Sequence, residues 1–90
     1  MKVLKFGAVW CNGCLVMKPR WQKVEDDNPG LETRYYDFDS DKVAVKKYKV
    51  EEGKLPCFIW LDKKGEEIER LTGELSVKKL VEINVRLKDK

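Results

Sequence analysis

The chain has no histidine, only three cysteines in 90 residues, and no apolar run near the length of a membrane span. Each of these absences narrows the function. Structural zinc takes four ligands, usually Cys or His, so a site here would need Cys11, Cys14, Cys57 and a carboxylate together; no metal and no cofactor are expected. Three cysteines also do not match a disulfide-stapled secreted domain, which carries an even and larger set. The opening residues, Met1 to Phe6, lack a long apolar core and a small-residue cleavage site, so they do not read as a secretory signal. The expected compartment is the cytoplasm, with no membrane partner. Charge of one sign is also lacking: Lys and Arg number 19 against 16 Asp and Glu, interspersed, for a net +3. The short pairs Lys46-Lys47 and Lys78-Lys79 fall on expected helices and read as solvated faces. They form no basic stripe with interleaved aromatics, so no nucleic-acid partner is expected. No repeat, linker or low-complexity segment appears. One domain over residues 1–90 is expected, with the modest core of a short chain and nothing that demands an oligomer.

The residues that are present form an alternating α/β pattern. Val3 to Val9 is almost continuously apolar, broken by Lys5, and predicts a strand buried on both faces. Met17, Trp21 and Val24 recur at helical spacing and predict a helix over Asn12 to Asp26, kinked by Pro19 inside it. Asn28-Pro29-Gly30 is a turn, and Leu31 to Phe38 reads as a second strand. Asp39 or Ser40 is the expected cap of a short helix from Asp41 to Tyr48. A loop at Glu51 to Lys54 leads to an apolar third strand, Phe58 to Leu61. A hairpin turn at Asp62 to Gly65 joins it to a fourth strand, Glu66 to Thr72. Ser76 caps a last helix whose Val77, Leu80, Val81 and Leu87 are expected to face the core, together with Trp21 and Trp60. The order βαβαββα implies a mixed four-stranded sheet with helices on both faces. Its first two strands are parallel through a right-handed crossover, and its last two form an antiparallel hairpin.

Two of the cysteines are spaced Cys-x-x-Cys, a pattern of redox or metal chemistry in a cytosolic chain. Cys11 stands where a buried strand gives way to a helix. The first backbone N–H groups of a helix have no internal partner and the helix dipole is positive there, so both favour a thiolate. Such placement lowers a cysteine pKa from about 8.5 to roughly 3.5–7.5, and the thiolate is the nucleophile of disulfide exchange. Cys14, almost one turn later, is in reach of Cys11 and is expected to lie deeper and less exposed. Cys11 then attacks a substrate disulfide, and Cys14 resolves the mixed disulfide. Metal binding through the same pair, in a non-enzymatic module, is the competing reading.

Trp10-Cys11-Asn12-Gly13-Cys14, ending a buried strand and opening a helix, resembles the thioredoxin family signature. The likeness runs along almost the whole chain: Pro19 falls where the family has its helix-kinking proline, Pro56 where it has a cis-proline beside the active-site sulfur, and Gly65 and Gly73 where it has its hairpin and end-of-strand glycines. The resemblance implies a thioredoxin-like fold and reduction of disulfides in protein substrates, with electrons supplied by a thioredoxin-reductase-type donor. It also implies a cis Leu55–Pro56 bond that lets the Leu55 N–H and C=O pair with an incoming strand. Trp10 becomes an apolar docking lip, and Asn12, Gly13, Thr72 and Gly73 complete the docking surface. A glutaredoxin-like carrier regenerated by glutathione is the alternative within the same chemistry, although the intercysteine pair is not the Pro-Tyr typical of that family.

The departures from the family pattern carry information too. The dithiol comes after only ten residues, without the preceding strand and helix of full-length thioredoxins, as in the compact core of glutaredoxins and small archaeal-type thioredoxins. The usual Gly-Pro between the cysteines is Asn12-Gly13, which leaves the redox poise open, since about 30 mV corresponds to about 1.4 kcal/mol. Lys5 occupies the position of the family's buried acid. It is expected on one strand face with Val3 and Gly7, paired with Asp37 or Asp39 or threading its stem to water, and it is a candidate modulator of Cys14. Cys57, next to Pro56, is either a second modulator or a small buried core residue.

Overall fold

A computed structural model describes residues 1–90. Its elements are β1 (Lys2–Gly7), α1 (Asn12–Asp27), β2 (Glu32–Asp37), α2 (Lys42–Lys47), a single 3-10 turn (Glu52–Lys54), β3 (Cys57–Leu61), β4 (Glu67–Thr72) and α3 (Val77–Leu87). The sheet order is β2-β1-β3-β4. β1 runs parallel to β2, while β1 with β3 and β3 with β4 are antiparallel. This is the mixed βαβαββα arrangement expected from the sequence. No helix is long and apolar enough to cross a membrane.

Alternation along the central strands divides the core between the two faces. On one face Val3, Phe58 and Trp60 pack against Met17, Trp21 and Val24 of α1 and Leu80, Ile83 and Leu87 of α3. On the other, Leu4, Phe6, Cys57, Ile59 and Leu61 meet Val50, Ala44, Val45 and Tyr48 from α2 and the segment after it. All five residues of β3 are buried, as a central strand covered on both faces requires. Burying each large apolar side chain contributes about 1.5–3 kcal/mol against chain entropy.

Several local expectations shift. The first strand stops at Gly7, and Val9, expected inside it, is 81% exposed in the turn before the dithiol. α1 runs one residue past the expected Asp26, with Pro19 inside it as expected. The residue capping α2 is Asp41, not Asp39 or Ser40. Asp39 accepts from Trp10, and α2 has no side-chain cap at all, since Asp41 Oδ2 accepts the Asp37 N–H instead. In α3 it is Ile83, not Val81, that completes the buried stripe with Leu80 and Leu87; Val81 lies one position around the helix and faces outward. Ser76 caps α3 as expected, its hydroxyl accepting from the Lys79 N–H at 3.0 Å.

Candidate redox site

The site lies where β1 ends and α1 begins. Buried β1, an interior strand, delivers the chain to the end of the sheet at Gly7. A turn closed by the Cys11 N–H to the Ala8 carbonyl (3.2 Å) redirects it into the helix. Cys11 is the residue capping α1, with extended backbone. Its Sγ accepts the Cys14 N–H at 3.2 Å, one of the donors left free in a first helical turn. The same sulfur is bonded to Cys14 in a disulfide, with the two Cα atoms 5.2 Å apart. Once reduced, a Cys11 thiolate inherits that N–H and the positive end of the helix. Both favour the charged form and make Cys11 the better nucleophile of the pair.

One expectation about the pair is reversed. Cys11 is the buried one, at 8% exposure, and Cys14 is half-buried. Cys14 lines a cavity of about 400 Å³ between α1 and the sheet, bordered by Lys5, Gly7, Trp21, Glu25 and Tyr35, whereas Cys11 does not border it. The accessibility of Cys14 is thus in part toward that cavity. The roles of the two sulfurs therefore rest on the capping position of Cys11 and not on its exposure.

The expected docking residues fall on three segments: the turn into α1, the proline loop before β3 and the end of β4. Trp10 is 49% exposed; its Nε1 donates to Asp39 Oδ2 at 2.7 Å, and its ring lies edge-on to Phe38. Val9, Leu15 and Val16 are exposed near it in sequence and extend the apolar character of the rim. Asn12 is exposed and Gly13 half-buried at the first turn of α1. A Cβ on Gly13 would come within 3.1 Å of the Pro56 ring, which places that ring against the helix start. The Leu55–Pro56 bond is cis, as the resemblance implies. The Pro56 carbonyl accepts the Gly73 N–H at 2.8 Å, tying the proline loop to the end of β4, while the Leu55 backbone makes no such bond. Thr72 pairs with Cys57 in the β3–β4 register. Gly73 has φ of +89°, a left-handed conformation that a side chain opposes.

Lys5 lies on the α1 side of β1, as alternation requires, but its partner is neither Asp37 nor Asp39. Lys5 Nζ donates to Glu25 Oε2 at 2.6 Å, with the two side chains 17% and 26% exposed, and lies 5.6 Å from the centre of the Trp21 ring. The two aspartates are occupied elsewhere: Asp37 accepts the Asp39 and Ser40 N–H groups, and Asp39 accepts from Trp10. The signal for Glu25 was present in the sequence. Cys14, Trp21 and Glu25 recur at spacings of seven and four, which puts them on one face of α1. Cys57 is fully buried at the start of β3, outside the Cys11–Cys14 bond. Burial pushes its thiol up, partly offset by the Arg70 charge, with Glu67 raising it further. Cys57 does not join the other two cysteines in any group of three or more candidate metal ligands.

Comparison with known proteins agrees with this construction. The family model described as thioredoxin matches residues 1–81. The chain is 35% identical over 71 residues to an H-type thioredoxin of Fagopyrum esculentum, covering 79% of this chain and 59% of that protein. It is 28% identical over 71 residues to a thioredoxin of Malassezia sympodialis, covering 79% of this chain and 67% of that one. Among solved structures, Fasciola hepatica thioredoxin superposes with a TM-score of 0.85 at 30% identity, over 96% of this chain and 79% of that one. The chain thus spans about three-fifths of the length of the Fagopyrum relative. With the family matched over nearly all of its residues and the Cys-x-x-Cys pair closed at the start of α1, the chain belongs to the thioredoxin family.

Proposed function

We propose that this protein is a dithiol electron carrier that reduces disulfides in protein substrates. The observation that carries the reading is Cys11 capping α1, its sulfur taking a free helix N–H and bonded to Cys14. In the reduced form Cys11 attacks one sulfur of the substrate disulfide. The Cys11–substrate bond forms, and the other substrate sulfur leaves as a thiolate that takes a proton from solvent. Cys14 then attacks Cys11, the Cys11–Cys14 bond forms, and the second substrate thiol departs. Two electrons pass from dithiol to substrate, and a thioredoxin-reductase-type donor restores them. The apolar rim at Trp10, with Asn12 and Gly13, and the loop of Leu55, Pro56, Thr72 and Gly73 receive the substrate segment; the free Leu55 backbone supports pairing with it. The protein works as a monomer in the cytoplasm.

The test is a paired turnover assay on a protein disulfide. Electrons are supplied by NADPH with thioredoxin reductase in one arm, and by glutathione with glutathione reductase in the other. Turnover in the first arm is expected; turnover only in the second would make the protein a glutathione-linked carrier. In the first arm Cys11→Ser is expected to be inactive. Cys14→Ser is expected to stall as a mixed disulfide that mass spectrometry locates on Cys11. An adduct on Cys14 of the Cys11→Ser variant, with none on Cys11 of the reciprocal one, would reverse the roles.

A further inference from the structure

Gly7 is the point where the resolving cysteine meets the edge strand. A Cβ at Gly7 would lie 3.1 Å from the Tyr35 hydroxyl and 3.2 Å from Cys14 Sγ. Phenol oxygen and sulfur therefore converge on one small space, open because residue 7 carries no side chain. The sheet register produces this: Lys5 pairs with Tyr35 and Gly7 with Asp37, so the Tyr35 ring rises on the α1 side beside the vacant Gly7 position. Tyr35, Gly7 and Cys14 all border the cavity behind the dithiol.

We propose that Tyr35 is a positioning residue for Cys14, its hydroxyl donating a hydrogen bond to the Cys14 thiolate while that sulfur attacks the mixed disulfide. The inference deepens the reductase reading and rests on it. The charged groups around Tyr35 fit a donor and not a base. Asp37 on its own strand and Asp41 ahead of α2 add to the effect of burial in raising its pKa, so the hydroxyl keeps its proton through the neutral range. Lys5 of β1, the cation bordering the cavity from the sheet, is held by Glu25 of α1 at 2.6 Å; Lys18 of α1 also borders the cavity. The step balances without a new reactant. The Cys14 thiol loses its proton to solvent, and Tyr35 donates to the thiolate formed. That thiolate attacks Cys11 Sγ, and the electron pair of the Cys11–substrate bond leaves with the substrate sulfur, which is protonated by solvent. A hydrogen bond to the charged form favours it and lowers the pKa.

The test isolates Cys14 as the only thiol in a Cys11→Ser, Cys57→Ala background. Its thiolate ultraviolet absorbance is titrated with Tyr35 in place and again after Tyr35→Phe. A hydrogen bond to a charged group of ordinary strength corresponds to about a tenfold effect. Tyr35→Phe is expected to raise the Cys14 pKa by about one unit. In the otherwise wild-type chain it should slow resolution of the mixed disulfide about tenfold near neutral pH, leave the initial attack by Cys11 unchanged, and lose its effect once pH exceeds both Cys14 pKa values. Gly7→Ala, whose methyl group would crowd both partners at 3.1 and 3.2 Å, should also raise the Cys14 pKa with the hydroxyl retained. Should Gly7→Ala fail to fold, the conservative Tyr35→Phe decides. An unchanged Cys14 titration in Tyr35→Phe would overturn the inference. The titration needs no substrate or reductase, so failure of the reductase reading would appear separately, as absent turnover beside an intact titration shift.

Discussion

A lysine on a central strand is costly to dehydrate, and Lys5 meets that cost through Glu25. Both side chains retain some solvent, so breaking the pair should cost less than for a fully buried one. Lys5→Met is expected to lower stability by about 1–2 kcal/mol in urea denaturation, and Glu25→Gln by a similar amount. The double variant should be more stable than the sum of the two losses implies, because neither change then strands a partner. Strict additivity would mean that the 2.6 Å contact contributes no coupling. Cys57 gives a different kind of prediction. Its thiol is raised by burial, so it ionises at lower pH unfolded than folded. As pH rises into the range where the unfolded thiol ionises, the unfolded state binds fewer protons and the folded state loses relative stability. Cys57→Ala should reduce this alkaline loss, measured by denaturation at successive pH values, and should leave turnover within a few-fold of wild type. An alkaline loss unchanged in the variant would assign it to other groups, Tyr35 among them. A turnover defect approaching that of Cys11→Ser would place Cys57 in the mechanism.

At the scale of elements, the end of β4 is held in one conformation by a single glycine. Gly73 has φ of +89°, and a Cβ added to it would have nothing within 4 Å, so Gly73→Ala meets no clash and only backbone strain. The expected loss is about 1–2 kcal/mol by thermal or urea unfolding. Gly30→Ala, also in open space but without positive φ, should be close to neutral. Equal losses at both positions would remove the conformational explanation. The same elements indicate what a sequence makes legible. Strong periodicity and clear caps were readable: Met17, Trp21 and Val24 face the core as their spacing predicts, and Ser76 caps α3. The dithiol was readable because it joins a buried apolar run to a helix. What escaped depends on tertiary placement. Val9 continues the apolar run of β1 in composition, yet it lies past the end of the ladder. Val81 and Ile83 look alike in sequence, and only the seat of α3 on the sheet separates them. Lys5 was readable as a problem, but its solution lies on α1, 20 residues away. The Gly7 space and Tyr35 depend on the register between β1 and β2, which composition does not encode.

For the whole molecule, the exposed edges decide whether the sheet ends or recruits another copy. β2 is one edge of the sheet, and its sequence Glu-Thr-Arg-Tyr-Tyr-Asp alternates β-prone residues with charges. An unpaired edge of β-prone residues is a template for another strand, and charged side chains along it oppose that pairing. Glu32 and Arg34 are both exposed, and Glu32 lies 3.5 Å from Lys2 on the neighbouring strand. β4, the opposite edge, carries its own charges, with Arg70 paired to Glu67 and Arg86 to Glu69. These edges support the monomer proposed above, and the proposal is testable without disturbing the redox site. Replacing Glu32 and Arg34 together by valine removes one charge of each sign, so the net charge stays at its +3 value and bulk repulsion is unchanged. What changes is local: the edge becomes a run of β-branched and aromatic residues without a charge until Asp37. In sedimentation velocity the wild type should run as one species of 10.6 kDa. Glu32→Val/Arg34→Val should associate with rising concentration while its reduced dithiol retains the wild-type rate of attack, because neither Glu32 nor Arg34 borders the cavity beside Cys14 or hydrogen-bonds to the dithiol. A variant that stays monomeric over the same range would show that these charges do not hold the edge apart, and association of the wild type would overturn the monomer itself.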